Sequence, residues 1–454
     1  DSELSGNMID VCPVGALTSK PFRYSARTWE LARRKSIAPH DSLGSNLIIQ
    51  TKGQQVMRVV PLENEDINEC WISDRDRFSY EGLNSPDRLL KPMVRRNGHW
   101  EEVDWQAAIE HAKGLLASSR NQHGAESLGL LASAQSTLEE LFLAQRLMRG
   151  LGSENVDFRL RQHDFSADGK RKGIPWLGMK VAEIASLDRV LIIGSFLRKD
   201  QPLLANRFRQ AARRGQQVNV VHVSDDELLI NLKGKVIASP SRLASALAEI
   251  VVALAEIKQV PAPALLVGTV TAGAAAREIA SSLAGGRNVG VFLGSVAEQH
   301  PQASVIHALA LEIARLVSAR LGFLGTGANG IGGYLAKCLP GAAGGLNART
   351  MLELPRKAYV LLNLEPELDC HDPATAMRAM RDAQCVIALT PYKSLAMEYA
   401  QVLLPITPFS ETAGSFVNLE GRLQGFNPAV VPRGEARPGW KVLRVLAESL
   451  GVDR

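Results

Sequence analysis

The sequence predicts an α/β protein, with a small β-rich module at the N-terminal end followed by a doubly wound, mostly parallel α/β region. Residues 188–195, 202–215 and 216–223 have the patterns of a buried strand, an amphipathic helix and a returning strand, which together make one βαβ unit. Further short apolar runs alternate with helical patterns along the chain. The 454 residues also exceed the roughly 250–300 at which a single core stops growing, so we expect several domains.

The β-rich signal lies near the N-terminal end. The segment SNLIIQTKGQQVMRVVPL (45–62) predicts a hairpin with its turn at residues 51–53. Polar, turn-rich sequence follows, and Asp104 then provides a good N-cap for a helix over 105–119. The α/β region therefore begins near this helix.

The next elements alternate between strand and helix. Residues 126–133 predict a strand, and Ser136 with Glu139 forms a possible capping box for a helix that Gly150 ends. The βαβ unit described above follows. Further strands are predicted at 287–295, 357–365, 385–391 and 401–405.

A glycine-rich region covers residues 322–348. Gly325, Gly327 and Gly330 match the GxGxxG pattern of dinucleotide sites. The pattern lacks the tight strand-turn-helix setting of such sites and the acidic residue about twenty positions later. We therefore favour a long loop whose glycines permit close backbone approach.

Composition excludes several classes of protein. Hydrophobic residues make up 46% and charged residues 22%, as in folded globular proteins. The net charge of +5 is small, and the basic segment 207–214 is interpreted as a solvated helix face, so no nucleic-acid partner is expected. Apolar stretches such as 243–257 and 305–317 carry Glu and are too short to span ~30 Å of hydrocarbon, so no direct membrane insertion is expected.

The cysteines are few, odd in number and far apart, which argues against a secreted disulfide framework. The first residues have no signal-peptide pattern, and we interpret the chain as a piece of a longer protein from a reducing compartment. The five cysteines are Cys12, Cys70, Cys338, Cys370 and Cys385.

Cys12 is followed by proline, in IDVCPVGALTSK. Such a pair can close a ferredoxin-like iron–sulfur motif, because the last thiolate sits at a turn that proline favours. A free cysteine can equally be a small buried hydrophobic residue. The residues alone leave both interpretations open.

Three blocks carry a resemblance to a known family. They are residues 1–36, NVDFRLRQHDFS (155–166) and YAQVLLPITPFSETAGSFVNLEGRLQGF (399–426). The chain resembles the large iron–sulfur subunit of respiratory complex I (the G-type subunit of NADH:quinone oxidoreductase), in its C-terminal, molybdopterin-oxidoreductase-like part. The resemblance implies three domains: the tail of an upstream ferredoxin-like module at 1–19, a β-rich module at 20–80, and a molybdopterin-oxidoreductase-like α/β region at 81–454.

The resemblance also implies a role for Cys12. In the family an upstream cysteine-rich module supplies three thiolates of a [4Fe–4S] cluster, and the cysteine at the position of Cys12 supplies the fourth. The implied function is electron transfer and scaffolding: the cluster relays electrons from NADH towards quinone, with catalysis in other subunits of complex I. The implied location is peripheral to the bacterial inner membrane on the cytoplasmic side, or to the mitochondrial inner membrane on the matrix side.

Some family members carry a second cluster, bound by C-x2-C-x3-C and a later cysteine. That spacing falls here on Ala38, Asp41, Ser45 and Ser73. Alanine cannot bind metal, and Asp and Ser are hard donors poorly matched to iron–sulfur cores. We expect this cluster to be absent, since Cys70 with nearby His40 cannot hold a cubane.

A molybdenum site is not expected either. Working enzymes of this type present Cys, selenocysteine or Ser from a loop that corresponds to residues 159–170, where only Ser166 is available and a solvated loop serine is the default interpretation. Two alternatives to the leading hypothesis stay open: a molybdopterin-dependent oxidoreductase of formate-dehydrogenase type, and a purely structural module in which Cys12 binds nothing.

Overall fold

The computed structural model describes residues 2–341 and 344–452, and it confirms the predicted α/β fold class. The strands are β1 (Ala32–Ile37), β2 (Asn46–Lys52), β3 (Gln55–Pro61), β4 (Met93–Arg96), β5 (His99–Glu102), β6 (Leu128–Ala132), β7 (Val156–Asp157), β8 (Arg189–Ile193), β9 (Gln217–His222), β10 (Leu232–Ile237), β11 (Val289–Leu293), β12 (Arg320–Phe323), β13 (Ala358–Leu362), β14 (Cys385–Thr390), β15 (Val402–Pro405), β16 (Gly414–Val417) and β17 (Leu423–Phe426).

The α-helices occupy most of the sequence between these strands. They are α1 (Asn7–Val11), α2 (Asp74–Phe78), α3 (Trp105–His123), α4 (Leu138–Gly150), α5 (Leu197–Asp200), α6 (Pro202–Arg213), α7 (Leu243–Lys258), α8 (Ala274–Ala284), α9 (Ser295–Glu298), α10 (Ala303–Val317), α11 (Gly330–Leu335), α12 (Ala348–Glu353), α13 (Pro366–Asp369), α14 (Pro373–Asp382), α15 (Ala396–Tyr399) and α16 (Gly439–Ser449). Within the described residues, no helix is both long and apolar enough to cross a membrane.

The α/β region contains two lobes. The first lobe has a seven-stranded sheet in the order β5-β4-β15-β14-β13-β6-β7, and the second has a parallel sheet in the order β10-β9-β8-β11-β12. The second lobe lies between β7 and β13 in the chain, so the first lobe is completed only by sequence that follows the second. Helices cover both faces of each sheet, which buries the apolar strands on both sides.

The predicted βαβ unit is confirmed. β8 and β9 pair in parallel, with Val190 opposite Val218, and α6 crosses between them. Phe208 of α6 is fully buried and meets the ring of Phe292 with centroids 5.7 Å apart. Arg207 on the same helix departs from the predicted solvated face, because its guanidinium donates to the carbonyl of Ile67 over 3.0 Å. This hydrogen bond connects the second lobe to the β-rich module.

The predicted capping box is displaced by one residue. Thr137, not Ser136, caps α4: its Oγ1 accepts from the N–H of Glu140 over 3.2 Å, and the Glu140 carboxylate accepts from the N–H of Thr137 over 2.9 Å. The run STLEE contains the capping spacing twice, so the sequence leaves two registers. Tertiary contacts choose between them, since the carbonyl of Ser136 accepts from Asn329 of the glycine-rich region.

The predicted N-terminal hairpin is confirmed as β2 and β3, with β1 on its open edge. Its turn lies one residue later than predicted, at Gly53 and Gln54, since Thr51 and Lys52 still belong to β2. Gly53 takes a φ of +59°, which glycine adopts without strain.

Part of the C-terminal block that carries the family resemblance contacts several other parts of the molecule. We call this part, residues 417–424, the signature segment. Asn418 is fully buried, and its Nδ2 donates to the carbonyl of Leu43 over 2.9 Å, in the β-rich module. The N–H of Val417 donates to Asn329 Oδ1 over 2.9 Å, in the glycine-rich region.

The signature segment also reaches the second lobe. The carbonyl of Leu419 accepts from the N–H of Leu177 over 2.8 Å, and the carboxylate of Glu420 accepts from the N–H of Val181 over 2.6 Å. Three separate parts of the chain therefore meet at one short segment.

Replacing Asn418 with alanine is expected to lower the free energy of unfolding by about 3 kcal/mol, because it leaves the buried carbonyl of Leu43 and the half-buried N–H groups of Glu420 and Arg422 without their hydrogen bonds. The measurement is urea unfolding followed by circular dichroism. Asn121→Ala, on the exposed face of α3, is the matched control and should change stability by less than about 0.5 kcal/mol. Equal losses of unfolding free energy in the two variants would contradict a stabilising role for the signature segment.

Candidate metal centre

Cys12 follows α1 directly, and the loop behind it wraps the thiol with backbone amides. The N–H of Leu17, together with those of Ala16, Val14 and Gly15, stabilises the thiolate and holds the pKa of Cys12 below its usual range, although slight desolvation opposes the shift. The side chain is partly exposed. A thiolate held by backbone N–H groups and open on one side suits metal ligation.

Apolar side chains surround this loop on the surface. Four residues around Cys12 keep between 48% and 82% of their surface exposed, and they are Met8, Val11, Val14 and Leu17. Exposed apolar groups concentrated in this way are typical of an interaction surface.

The four remaining cysteines lack these properties. Burial raises the pKa of Cys370 and of Cys385 to about 12, and it raises the pKa of Cys338 further. Cys70 is exposed, but partial desolvation and the carboxylate of Glu69 raise its pKa as well. Within the described part of the chain, Cys12 is thus the one thiol whose surroundings favour the thiolate.

The positions of the second cluster are all buried. The backbone N–H of Ala38 donates to the carbonyl of Ser45 over 2.9 Å, and both side chains are fully buried. Ser73 and Asp41 are buried as well. None of the four offers a thiol, and the site retains its β-rich frame.

A polar network fills the site where that cluster would bind. Asp76 accepts from the hydroxyl of Ser73 over 2.8 Å, and its other oxygen lies 2.8 Å from His40 Nδ1. Arg75 lies 3.3 Å from the carboxylate of Asp41. Burial and the nearby charge of Asp76 raise the pKa of Asp41 to about 6. At these positions carboxylates, a hydroxyl and an imidazole form an ion-pair and hydrogen-bond network.

A cavity of about 560 Å³ lies between the two lobes. Ser133 follows β6, Ser295 follows β11 and Gly325 follows β12, so the cavity lies at the carboxyl ends of strands from both sheets. This is where open α/β sheets usually bind ligands. His40 and Asp41 form part of its wall and connect it to the polar network.

The glycine match lies on this cavity wall. The match lies between a strand and a helix, since β12 ends at Phe323 and α11 begins at Gly330, but six residues separate the two elements, so the setting is not the tight turn of a dinucleotide site. Sequence reasoning missed β12, which is only four residues long. The preferred interpretation of close approach fits the turn, since a Cβ on Gly327 would lie 2.9 Å from the Cβ of Ala134.

The cavity charges are largely compensated. Arg159 is bound by both carboxylate oxygens of Asp157, over 2.9 and 3.0 Å. Burial raises the pKa of Glu298 to about 7, and its carboxylate accepts from the N–H of Gly325 over 3.1 Å.

The cavity offers no soft ligand for a molybdenum centre. Ser166 lies on an exposed loop, and its hydroxyl binds Asp164 over 2.6 Å and Ser304 over 2.9 Å instead of facing the cavity. No cysteine lines the cavity among the described residues, which also contain no cluster of three or more His, Cys, Asp or Glu side chains with metal-binding geometry. The residues present therefore do not fit a metal–pterin group held by a protein sulfur.

Comparison with known protein families agrees with this architecture. Residues 88–449 match the family model described as molybdopterin oxidoreductase. The chain belongs to the molybdopterin oxidoreductase family. Two further models match the N-terminal part of this family member: a "NADH-ubiquinone oxidoreductase NDSU1/NuoG-like, 4Fe-4S domain" at residues 31–81 and a "NADH-quinone oxidoreductase subunit 3, ferredoxin-like domain" at residues 1–18. The names of both models indicate iron–sulfur proteins.

Curated relatives of this molybdopterin-oxidoreductase chain confirm the resemblance to the large subunit of complex I. The G-type subunit of NADH-quinone oxidoreductase from Rickettsia felis is 32% identical over 456 residues, which are 100% of this chain and 61% of the relative. The mitochondrial NADH-ubiquinone oxidoreductase 78 kDa subunit of Candida albicans is 30% identical over 461 residues, which are 100% of this chain and 57% of the relative. The chain thus spans about three fifths of the length of these relatives.

Solved structures support the family fold alone. Acetylene hydratase from Pelobacter acetylenicus superposes with a TM-score of 0.66 and 14% identity, covering 92% of this chain and 69% of that one. The formyltransferase/hydrolase complex FhcABCD from Methylorubrum extorquens superposes with a TM-score of 0.57 and 18% identity, covering 80% of this chain and 100% of that one.

The reactivity of Cys12 provides a direct test. In the folded protein near pH 7.5, Cys12 is expected to react with iodoacetamide faster than the more exposed Cys70, because the thiolate is the reacting species and backbone amides favour it only at Cys12. Peptide mass spectrometry after timed quenching gives both rates. The faster labelling of Cys12 should disappear in urea. Faster labelling of Cys70 in the folded state would contradict the stabilisation of the Cys12 thiolate by backbone amides.

Glu298 makes stability depend on pH. Its folded pKa of about 7 lies above its ordinary value of 4.5, so the folded state holds the proton more tightly and stability falls as pH rises through that window. The substitution Glu298→Gln removes the titrating carboxyl group and, with it, this loss of stability at higher pH. Relative to the unmodified protein, the variant should gain about 2 kcal/mol in unfolding free energy between pH 5 and pH 8, measured by urea unfolding. A difference that does not change with pH would show that the carboxyl titrates normally.

Proposed function

We propose that this chain is part of the large iron–sulfur subunit of NADH:quinone oxidoreductase, and that Cys12 supplies one thiolate to a [4Fe–4S] cluster. A ferredoxin-like module elsewhere in the full polypeptide supplies the other three ligands. When bound, such a cluster passes single electrons, here from the NADH-oxidising end of the complex towards quinone. Two observations carry the proposal: residues 1–18, which include Cys12, match a ferredoxin-like family model, and backbone N–H groups favour the Cys12 thiolate.

The residues of this chain contribute to that function in two ways. The loop 13–17 orients the thiolate and supplies backbone dipoles, which influence the reduction potential of a bound cluster. The apolar side chains around Cys12 provide a surface that excludes water once it is covered.

The rest of the chain acts as a scaffold. We divide it into the end of a ferredoxin-like module at 1–19, a β-rich module at 20–80 and the α/β region at 81–454. The α/β region retains the family fold and an interlobe cavity but offers no sulfur ligand there among the described residues, so no molybdenum is assigned to it. Its partners are other subunits of the complex, peripheral to the bacterial inner membrane on the cytoplasmic side or to the mitochondrial inner membrane on the matrix side.

The test uses the full-length protein assembled in its complex. Cys12→Ser is expected to remove one [4Fe–4S] signal from the low-temperature EPR spectrum of the reduced enzyme, because hydroxyl oxygen is a poor ligand for this cluster. Electron transfer from NADH to quinone should fall with it. Cys70→Ser is the matched control and should leave the spectrum unchanged.

Two outcomes would contradict the proposal. If every iron–sulfur signal survives in Cys12→Ser, Cys12 is unligated and the chain is a structural module. If metal analysis finds stoichiometric molybdenum or tungsten in the purified protein, the chain belongs to a working pterin enzyme.

A further inference from the structure

The last position of the lost cluster site has become the start of a helix. Ser73 stands where a cysteine would complete that site, and its hydroxyl accepts from the N–H of Asp76 over 3.1 Å, which caps α2. The side chains of α2 that face away from the polar network contact α1, the helix that ends at Cys12.

Asp74 binds the start of α1. Its Oδ1 accepts from the N–H of Gly6 over 2.7 Å, and its Oδ2 accepts from the hydroxyl of Ser5 over 2.6 Å. The N–H of Asp74 donates to the carbonyl of Glu3 over 2.8 Å. Both the side chain and the backbone of Asp74 therefore fix the N-terminal segment.

Arg77 binds the body of α1. It is 4% exposed, and its Nη2 donates to Asn7 Oδ1 over 3.0 Å and to Asp10 Oδ2 over 2.5 Å. Asn7 in turn donates to the carbonyl of Ile72 over 2.7 Å. The approach is close, since a Cβ on Gly6 would lie 2.7 Å from the Cδ of Arg77.

We infer that Arg77 is a positioning residue for the cluster ligand Cys12, and that the remnant of the lost cluster site now serves as the anchor of the remaining ligand. Arg77 fixes the helix that ends at Cys12, and it neutralises Asp10, which lies two residues before Cys12. The inference rests on the proposed role of Cys12. It adds that Arg77 sets the charge beside the cluster, through Asp10, and the rigidity of α1.

Removing the Arg77 guanidinium has two expected effects. In Arg77→Met, Asp10 loses its ion-pair partner, and Arg58 is the cation that remains near it. The less compensated carboxylate near the cluster favours the oxidised state, so the midpoint potential shifts to a lower value. Loss of the hydrogen bonds to α1 also lets this helix open more often, and amide exchange over residues 7–12 should accelerate roughly tenfold. EPR-monitored redox titration and hydrogen-exchange mass spectrometry of the full-length protein measure the two effects.

Matched variants separate charge from position. Arg75→Met removes a cation from the same helix, but Arg75 faces Asp41 and the cavity, so the potential and the exchange over 7–12 should stay unchanged. Asp10→Asn combined with Arg77→Met should restore the potential towards its original value while exchange stays fast. If Arg77→Met does not assemble, Asp74→Asn weakens the other contact of α2, with the start of α1, and should still accelerate exchange.

The outcomes distinguish this inference from the proposed function. If Cys12→Ser leaves all cluster signals intact, the proposed function fails. If Cys12→Ser removes a signal but Arg77→Met changes neither potential nor exchange, the positioning role is wrong. A lower melting temperature for Arg77→Met with an unchanged potential would also overturn the inference, because it would show a structural role alone.

Discussion

The structure depends on a few buried hydrogen bonds made by Asn418. Its amide reaches the β-rich module, and its carbonyl oxygen accepts from the N–H groups of Glu420 and Arg422, which shapes the turn that contacts the second lobe. An amide supplies both donor and acceptor at one buried point, and neither a carboxylate nor an apolar side chain offers both. Because unpaired buried polar groups are costly, these bonds hold the signature segment against the β-rich module and keep the turn in place, while Val417, Leu419 and Glu420 make the contacts with the other parts of the chain.

A network of polar groups lies where the family resemblance implies a second cluster site. Asp76 pairs with His40 there, and Asp41 pairs with Arg75. Buried charges are tolerated only when each charge finds a partner, and the raised pKa of Asp41 reflects how incompletely Arg75 compensates for burial. The network also has a structural role, because α2 extends from it towards α1.

The two lobes have the architecture of the molybdopterin oxidoreductase family. The parallel sheets, the interlobe cavity and the glycine-rich turn follow the family architecture, while the cavity arginines are occupied by neighbouring groups such as Asp157. Function is determined by sites attached to the scaffold, and Cys12, whose thiol has a lowered pKa, does not line the cavity.

The sequence by itself determined the fold class, the βαβ unit, the hairpin, the longer buried strands and the family resemblance, because apolar periodicity and short motifs are local properties. Tertiary structure decided the rest. It chose Thr137 over Ser136 as the cap, formed the four-residue β12 through pairing with β11, and turned Arg207 towards the β-rich module. Cys12 could be singled out from its flanking sequence. The backbone N–H groups that lower its pKa and the hydrogen bonds from Arg77 to α1 depend on contacts made only after folding, between residues up to 70 positions apart.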